Sequence, residues 1–134
     1  LIVYSPANIK NGKEVTNIST TDIGGPSAGL AFTLALLDEL TSGNLMGTSH
    51  VVATGTISED GSVGAIGALE QKAVAVEASG ADLFLVPAGQ SAEEMKRARR
   101  AAGSKFEIVQ VATLDEALSA LRTRGGDALV ATAA

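Results

Sequence analysis

Residues 24–40 read GGPSAGLAFTLALLDEL, and this stretch decides how the chain folds. Two glycines and a proline break the preceding structure, and a proline is well suited to the first turn of a helix. From position 27 to position 40 the residues are apolar on almost every side of a helical projection. A helix with that pattern is buried on most of its faces, so we expect it at the centre of the fold.

Strand and helix signals surround this central helix. Upstream, residues 1–4 are expected to form the end or edge of a strand, residues 5–13 a loop or hairpin turn, and residues 14–18 a further strand. The strands predicted downstream are β-branched or apolar runs bounded by turn residues: residues 51–57, 82–86 and 106–111. Apolar periodicity, capping residues and closing glycines predict three more helices: residues 68–79, 92–102 and 114–121.

Together these signals predict one α/β or α+β domain with mixed strands and about four helices. The length of 134 residues is that of a single domain. Asp60 and Gly61 predict a hairpin turn that returns the chain through residues 62–63. We place the domain at residues 1–122 and expect the Gly- and Ala-rich residues 123–134 to be a disordered tail.

The composition excludes several kinds of site. A net charge of −5 argues against a nucleic-acid partner held by electrostatics. The absence of cysteine excludes disulfides, thiolate nucleophiles and Cys-ligated metals, and a single histidine excludes multi-His metal sites. No apolar run reaches the roughly 20 residues that a membrane span requires. We interpret the chain as a fragment or processed piece, with any membrane anchor outside it.

Ser27 is the first candidate for chemistry, because it follows a Gly-Gly-Pro break and opens the central helix. One interpretation is a helix-start serine whose hydroxyl satisfies free backbone amides. The other is a nucleophile, since a helix N-terminus presents unpaired N–H groups and a positive dipole end to a developing oxyanion. Gly25, Ala28 and Gly29 are small, so a substrate backbone could approach closely. Ser27 alone does not decide between the two.

A serine nucleophile needs a base. His50 is the only imidazole, but its polar surroundings predict a solvated loop residue. In the helix predicted at residues 68–79, one face carries Leu69, Ala73 and Val76, and Lys72 lies on its flank. Lys72 is therefore either a snorkelling lysine with its head in water or a desolvated amine that gives up its proton readily.

Two weaker signals remain. A glycine at every third position from 61 to 67 is reminiscent of a dinucleotide loop, but the spacing is wrong and a hairpin is the simpler interpretation. The basic run in residues 96–100 follows two glutamates on a predicted helix. That pattern predicts a solvated, salt-bridged face, with a docking patch for an acidic partner as the alternative.

Three blocks of this sequence resemble the proteolytic domain of the Lon protease family. Residues 24–30, GGPSAGL, resemble the catalytic-serine motif of that family. Residues 54–63 and 66–72 resemble its downstream block, which ends in the catalytic lysine. The order and spacing of the blocks match as well, and the resemblance covers roughly residues 14–121.

The resemblance implies a serine endopeptidase with a Ser–Lys dyad on a fold of the ribosomal protein S5 domain 2-like kind. Ser27 would be the nucleophile and Lys72 the general base. Thr54 matches a threonine of the family whose hydroxyl helps to hold the lysine amine. No metal or organic cofactor is needed for this chemistry.

The same resemblance implies where the oxyanion and the substrate backbone are held. The expected contributors are the residues on either side of the nucleophile: Gly24, Gly25, Pro26 and Ala28. The backbone amide of Ser27 and one from the Gly24-Gly25 turn would stabilise the oxyanion. A polypeptide substrate would lie beside Ser27 as an added strand.

The amino-acid sequence around Ser27 most resembles the ATP-independent branch of the family, which carries a PDZ domain. ATP-dependent relatives typically have Asp three positions before the serine and Glu two after the threonine, where this chain has Gly24 and Thr56. The resemblance thus implies unfolded or misfolded polypeptides as substrates, a PDZ domain elsewhere in the full-length chain, and a homo-oligomeric ring. It favours an extracytoplasmic or membrane-anchored location, or a cytoplasmic one if the protein depends on ATP. A non-catalytic scaffold that binds a partner and a hydrolase of smaller substrates are the alternatives.

Overall fold

The computed structural model describes the backbone of residues 2–10, 13–20 and 25–128 and the side chains of residues 27–128. A short 3-10 helix, Gly25–Ala28, leads directly into the first α-helix. The strands are β1 Ile2–Lys10, β2 Lys13–Thr20, β3 Val51–Ala53, β4 Thr56–Ile57, β5 Val63–Gly64, β6 Leu83–Pro87 and β7 Glu107–Val111. The α-helices are α1 Gly29–Leu40, α2 Leu69–Ser79, α3 Ala92–Ala102 and α4 Leu114–Thr123.

Five strands form one mixed sheet in the order β2-β1-β3-β6-β7. β1 pairs antiparallel with both β2 and β3, whereas β3, β6 and β7 are parallel to one another. The remaining strands, β4 and β5, form a separate antiparallel hairpin. The predicted class, an α/β domain with mixed strands and four helices in the described part of the chain, is confirmed.

Helices cover both faces of the parallel half of the sheet. Along β6, Leu83 and Leu85 belong to a core with α1 and α4, whereas Phe84 and Val86 belong to a second core with α2 and α3. Successive strand residues point to opposite faces, so a strand covered on both sides must be apolar throughout. All five residues of β6 are accordingly buried.

The local signals at the helix ends are confirmed. Ser91 caps α3 in a capping box with Glu94, and the Thr113 hydroxyl accepts a hydrogen bond from Glu116 N at the start of α4. Gly80 ends α2 in the left-handed conformation that favours glycine. Because these short-range hydrogen bonds depend only on neighbouring residues, the sequence is sufficient to place them.

The loop predicted at residues 5–13 is wrong for most of its length. β1 continues to Lys10 and pairs with β2, with a register irregularity between Pro6 and Asn8. β1 also lies between β2 and β3 and not at an edge of the sheet. The proline is accommodated at the irregularity, where a ladder hydrogen bond is already interrupted. Residue 1 lies outside the described residues.

The central helix is less enclosed than its sequence predicts. Leu30 and Leu34 are fully buried, but Phe32, Leu36 and Leu40 are 43%, 59% and 56% exposed. These three residues recur every fourth position and therefore share one helix face. In the described chain that face of α1 is not covered by the domain's own core.

The strand predicted at residues 51–57 is interrupted after Ala53. Gly55 has φ +148, a backbone conformation that favours glycine, and there the chain leaves the large sheet to form β4. β4 then pairs with β5 across a turn that contains Gly61 at φ +87. The predicted hairpin is thus confirmed, but it belongs to a second, two-stranded sheet.

The chain remains packed for several residues after α4. The Asp127 carboxylate accepts a hydrogen bond from Asn44 N at 2.7 Å, and Arg124 pairs with Glu107. The predicted domain boundary at residue 122 stays a prediction, because residues 129–134 lie outside the described residues. In the described part of the chain no helix is both long and apolar enough to span a membrane.

Candidate active site

Ser27 lies in the 3-10 turn that precedes α1, and its side chain is partly buried. Its carbonyl oxygen accepts a hydrogen bond from Gly55 N at 2.9 Å, and Leu30 N donates to Gly55 O at 3.0 Å. Gly55 is therefore bonded through its N–H to the 3-10 turn and through its carbonyl to the start of α1. This pair of bonds fixes the serine relative to the point where the chain leaves the large sheet.

Small residues allow this close approach between α1 and the β4–β5 hairpin. A Cβ on Gly29 would lie 3.1 Å from both Ile57 N and Ile57 Cγ2, which is tighter than ordinary van der Waals contact. A Cβ on Gly64 would lie 2.1 Å from Thr56 Oγ1. The two glycines therefore let the hairpin pack directly against the serine turn and leave room for the Thr56 side chain.

Lys72 lies in the first turns of α2, beside the buried residues Leu69 and Ala73. Its Nζ donates a hydrogen bond to Gly67 O at 2.7 Å, and its backbone N donates to Ala68 O at 3.0 Å. The predicted apolar flank is present, but the side chain is only partly buried and the Gly67 bond lies at the surface. Among the described residues the amine is therefore not fully enclosed, which agrees with the snorkelling alternative.

One cleft brings Ser27 and Lys72 together, although they are 45 positions apart in the sequence. Its volume is about 410 Å³, and its lining comes from the serine turn, the hairpin, the segment before α2, and α2 itself. The lining residues are Ser27, Thr56, Ala65, Ile66, Gly67, Ala68 and Lys72. The candidate nucleophile residue and the candidate base residue thus border the same space.

The segment between the hairpin and α2 is held in an unusual conformation. Ala68 has φ +57 and ψ +39, the left-handed region, and among the described non-glycine residues it alone has a positive φ. An alanine in that region costs about 1–2 kcal/mol relative to a right-handed one. Local strain of this kind persists only where surrounding contacts fix it, and it is common at functional sites.

Thr54 lies behind the serine and outside the cleft lining. It is buried, its backbone N donates to Leu85 O at 3.0 Å, and its hydroxyl donates to Ser27 O at 3.5 Å. The structure thus links Thr54 to the serine backbone, and its predicted contact with the lysine amine stays a prediction. The threonine that borders the cleft is Thr56, which the sequence had singled out only as the replacement of a family glutamate.

The residues predicted to hold the oxyanion flank the serine on both sides. Gly25, Pro26 and Ala28 belong to the same 3-10 turn as Ser27, and Gly24 lies outside the described residues. The Ala28 side chain is buried in the core with α1. Their role towards an oxyanion stays a prediction.

The other candidates from the sequence lie away from the cleft. His50 is exposed, and its backbone carbonyl accepts hydrogen bonds from Asp82 N and Leu83 N. The basic residues of α3 are exposed, and Arg97 pairs with Glu93 at 3.5 Å. Among residues 27–128, whose side chains are described, no three His, Asp or Glu side chains cluster as metal ligands would.

Sequence reasoning missed the part of the site that comes from residues 65–68. Gly67 contributes the carbonyl that binds Lys72 Nζ, and Ala68 contributes the strained turn into α2. The signal for Gly67 was its position five residues before the lysine and just outside the helix. No sequence signal marks a left-handed alanine, because alanine prefers the right-handed helix.

Comparison with known proteins identifies the family to which the sequence of this chain is similar. The family model described as the Lon protease (S16) C-terminal proteolytic domain matches residues 18–124. The Lon protease of Phenylobacterium zucineum is 34% identical over 104 residues, which are 77% of this chain and 13% of that protein. The Lon protease of Trichlorobacter lovleyi is 35% identical over 94 residues, 70% of this chain and 11% of that protein. The Lon protease of Neorickettsia sennetsu is 30% identical over 95 residues, 71% of this chain and 11% of that protein.

The chain spans only between 11% and 13% of the length of these relatives. The matched segment of 18–124 includes the serine turn, the hairpin and all of α2, so it contains both Ser27 and Lys72. The predicted family is therefore confirmed: this chain belongs to the Lon protease C-terminal proteolytic domain family.

Proposed function

We propose that this chain hydrolyses peptide bonds in unfolded or misfolded polypeptides, with Ser27 as nucleophile and Lys72 as general base. The observation that carries the proposal is that both side chains line one cleft of about 410 Å³. Membership in a proteolytic-domain family supports the same reaction class. No metal or organic cofactor is required for acyl transfer by a serine and a lysine.

Acylation starts with the neutral amine of Lys72. The amine takes the proton of Ser27 Oγ while Oγ bonds to the scissile carbonyl carbon, which gives a tetrahedral oxyanion and a lysine ammonium. Backbone N–H groups of the serine turn and the positive end of α1 would stabilise the oxyanion. The ammonium then gives its proton to the leaving nitrogen as the C–N bond breaks, which leaves an acyl ester on Ser27.

Deacylation repeats these proton transfers with water. Lys72, neutral again, accepts a proton from a water molecule that attacks the ester carbonyl. Collapse of the second oxyanion releases the new carboxylic acid, and the ammonium returns its proton to Ser27 Oγ. The lysine ends in the state in which it began, so the cycle balances without any other group.

A bound polypeptide would supply the enclosure that the free chain lacks. The Lys72 hydrogen bond to Gly67 lies at the surface. A substrate strand lying along residues 65–68 would displace water from the amine and enclose it for the base step. Ala65, Gly67 and Ala68 are exposed and have small side chains, which leaves room for an extended peptide beside the cleft.

A homo-oligomer is the assembly that the exposed face of α1 supports. Phe32 and Leu36 are 43% and 59% exposed and lie on one face of the helix that follows Ser27. A second subunit that packs on this face would bury apolar surface. A ring, a PDZ domain elsewhere in the protein, and the location that this branch implies are further proposals from the sequence resemblance. Sedimentation velocity with Leu36→Glu tests the assembly: the variant should dissociate at concentrations where the wild type stays associated.

The experiment that tests the proposed function measures hydrolysis of fluorescent casein and of a short ester by the full chain. Ser27→Ala and Lys72→Met should each lower casein hydrolysis at least about 100-fold, the range for loss of a nucleophile or its base. Lys96→Met, which removes an exposed lysine outside the cleft, is the matched control and should leave the rate unchanged.

Each other outcome supports a different conclusion. Near-wild-type hydrolysis by Lys72→Met would refute the dyad. Turnover of the ester without cleavage of casein would identify a hydrolase of smaller substrates. If neither substrate is turned over in a Ser27-dependent way between pH 6 and pH 10, the chain is a domain of this family that binds partners without catalysis.

A further inference from the structure

Gln90, in the turn between β6 and α3, binds both backbone polar groups of Ile66. Its Oε1 accepts a hydrogen bond from Ile66 N at 2.7 Å, and its Nε2 donates to Ile66 O at 3.1 Å. A side-chain amide carries a donor and an acceptor side by side, so it pairs with a backbone residue as a neighbouring strand would. The Gln90 side chain is 7% exposed, so these bonds are largely protected from water.

Glu94 determines the orientation of the Gln90 side-chain amide. Gln90 Nε2 also donates to Glu94 Oε2 at 2.8 Å, and that carboxylate oxygen accepts a second hydrogen bond from Ser91 N at 3.0 Å. An ionised carboxylate only accepts, so the nitrogen of the amide must face Glu94. The Glu94 carboxylate, which is held by the backbone N of Ser91 and not by its hydroxyl, thereby orients the amide whose other end holds Ile66 N.

The segment that Gln90 binds is the one that contacts the lysine. Ile66 is followed by Gly67, whose carbonyl accepts the Lys72 Nζ hydrogen bond at 2.7 Å, and by the left-handed Ala68. A strained turn returns to ordinary backbone conformations unless contacts on both sides hold it. Gln90 provides the contact before the turn, and the first turn of α2 provides the one after it.

We propose that Gln90 is a positioning residue for the Ser27–Lys72 reaction. It does not line the cleft and acts through the backbone of residues 66–68, which hold the Lys72 amine beside Ser27. This inference rests on the proposed function, and it adds a residue of the β6–α3 turn to the site. Removing the Gln90 amide frees residues 65–68 and lets the amine leave the cleft.

The test replaces Gln90 with methionine, which has similar length and shape but no amide hydrogen bonds. In the full chain, Gln90→Met should lower kcat for a fluorogenic peptide about 10- to 100-fold, the cost of a displacement of roughly 1 Å. KM should rise as well, because the freed residues 65–68 also line the cleft, so Lys72 labelling separates the positioning of the amine from substrate binding. Gln90→Glu, which keeps an acceptor for Ile66 N but cannot donate to Ile66 O, should show the same pattern.

Ser91→Ala is the matched control for stability. It removes the capping hydrogen bond from Glu94 N to Ser91 Oγ at 3.1 Å and leaves Ile66 bound. Ser91→Ala should therefore lower Tm without lowering kcat. An acylating amine reagent, read by mass spectrometry, supplies a readout without turnover: Lys72 should react faster in Gln90→Met than in the wild type or Ser91→Ala.

Two results would overturn the inference and leave the dyad intact. One is wild-type kcat and unchanged Lys72 reactivity in both Gln90 variants. The other is a loss of kcat in Ser91→Ala equal to that in Gln90→Met, which would show a general effect of stability. Failure of the proposed function itself is recognised separately, as absence of any Ser27-dependent turnover in the wild type.

Discussion

Replacing Gly55 with alanine tests whether the break after β3 sets the position of the serine turn. Gly55 has φ +148, and a Cβ there would lie 2.6 Å from Val63 Cγ1 in the buried core. Holding a non-glycine residue in that backbone region costs about 1–3 kcal/mol. Relieving the clash with a packed core residue costs about another 1–3 kcal/mol. The free energy of unfolding should therefore fall by about 2–6 kcal/mol.

The assay is urea denaturation followed by circular dichroism, with Gly67→Ala as the matched variant. A Cβ on Gly67 would meet no heavy atom within 4 Å, and its backbone is not in the left-handed region. Gly67→Ala should therefore change the free energy of unfolding by less than about 0.5 kcal/mol. The same glycine-to-alanine change is thus expected to differ by several kcal/mol between the two positions.

Activity adds a second readout for Gly55→Ala. Gly55 N bonds to Ser27 O, and Gly55 O accepts from Leu30 N, so relaxation of the glycine moves the serine turn. Peptide hydrolysis should fall even at temperatures where the variant is fully folded. A Gly55→Ala variant within about 0.5 kcal/mol of the wild type would refute this account of the break, as would a Gly67→Ala variant that is equally destabilised.

Three further perturbations test the surroundings of the site. Asp38→Ala removes a buried carboxylate that accepts a hydrogen bond from Leu45 N at 3.0 Å, and chemical denaturation should show a loss of about 1–3 kcal/mol. Hydrogen bonds from Ser62 hold the pKa of Asp60 below its ordinary value of 3.8. The stabilisation from these hydrogen bonds is present above about pH 3.8 and is lost as the pH falls through the lower pKa that Asp60 has in the folded protein. In an NMR titration, Ser62→Ala should therefore raise the pKa of Asp60. Truncation after residue 122 removes the Asp127 hydrogen bond to the loop after α1 and should lower Tm, whereas truncation after residue 128 should leave Tm unchanged.

Short-range signals account for the parts of the fold that the sequence predicts well. The capping pair Ser91 and Glu94 and the turn residue Gly61 act through bonds to neighbouring residues, so their effect is visible without tertiary structure. The parallel strand β6 is predicted for a similar reason, since an unbroken apolar run needs cover on both faces.

Long-range packing decides the parts that the sequence does not predict. The β1–β2 hairpin extends through the expected loop because residues 5–10 of β1 pair with β2. The interruption at Gly55 depends on contact with the serine turn, which lies 28 positions earlier in the chain. Phe32 is apolar by type but exposed by position, because periodicity describes a helix face without identifying what covers it.

The candidate site likewise combines features that the sequence predicts with features that only the tertiary structure shows. The residue types at 27 and 72, together with the family motifs, predict which side chains meet, and the structure has both in one cleft. The left-handed Ala68 could not be predicted, because it leaves no mark on the pattern of residue types, whereas the position of Gly67 before the lysine was a signal for its carbonyl contact. Gln90 was missed for a related reason: a polar residue in a turn is usually solvated, and only the tertiary structure buries it.

The most direct test of the account is the rate at which a fluorophosphonate phosphonylates Ser27, with loss of fluoride, in the presence and absence of the Lys72 amine. Intact mass and peptide mapping of the full chain give the number of adducts, their position and the rate at each pH. The account predicts one adduct on Ser27, formed faster as the pH rises, and formation at least about 100-fold slower in Lys72→Met. An adduct formed at the wild-type rate in Lys72→Met, or an adduct at any residue other than Ser27, would contradict it.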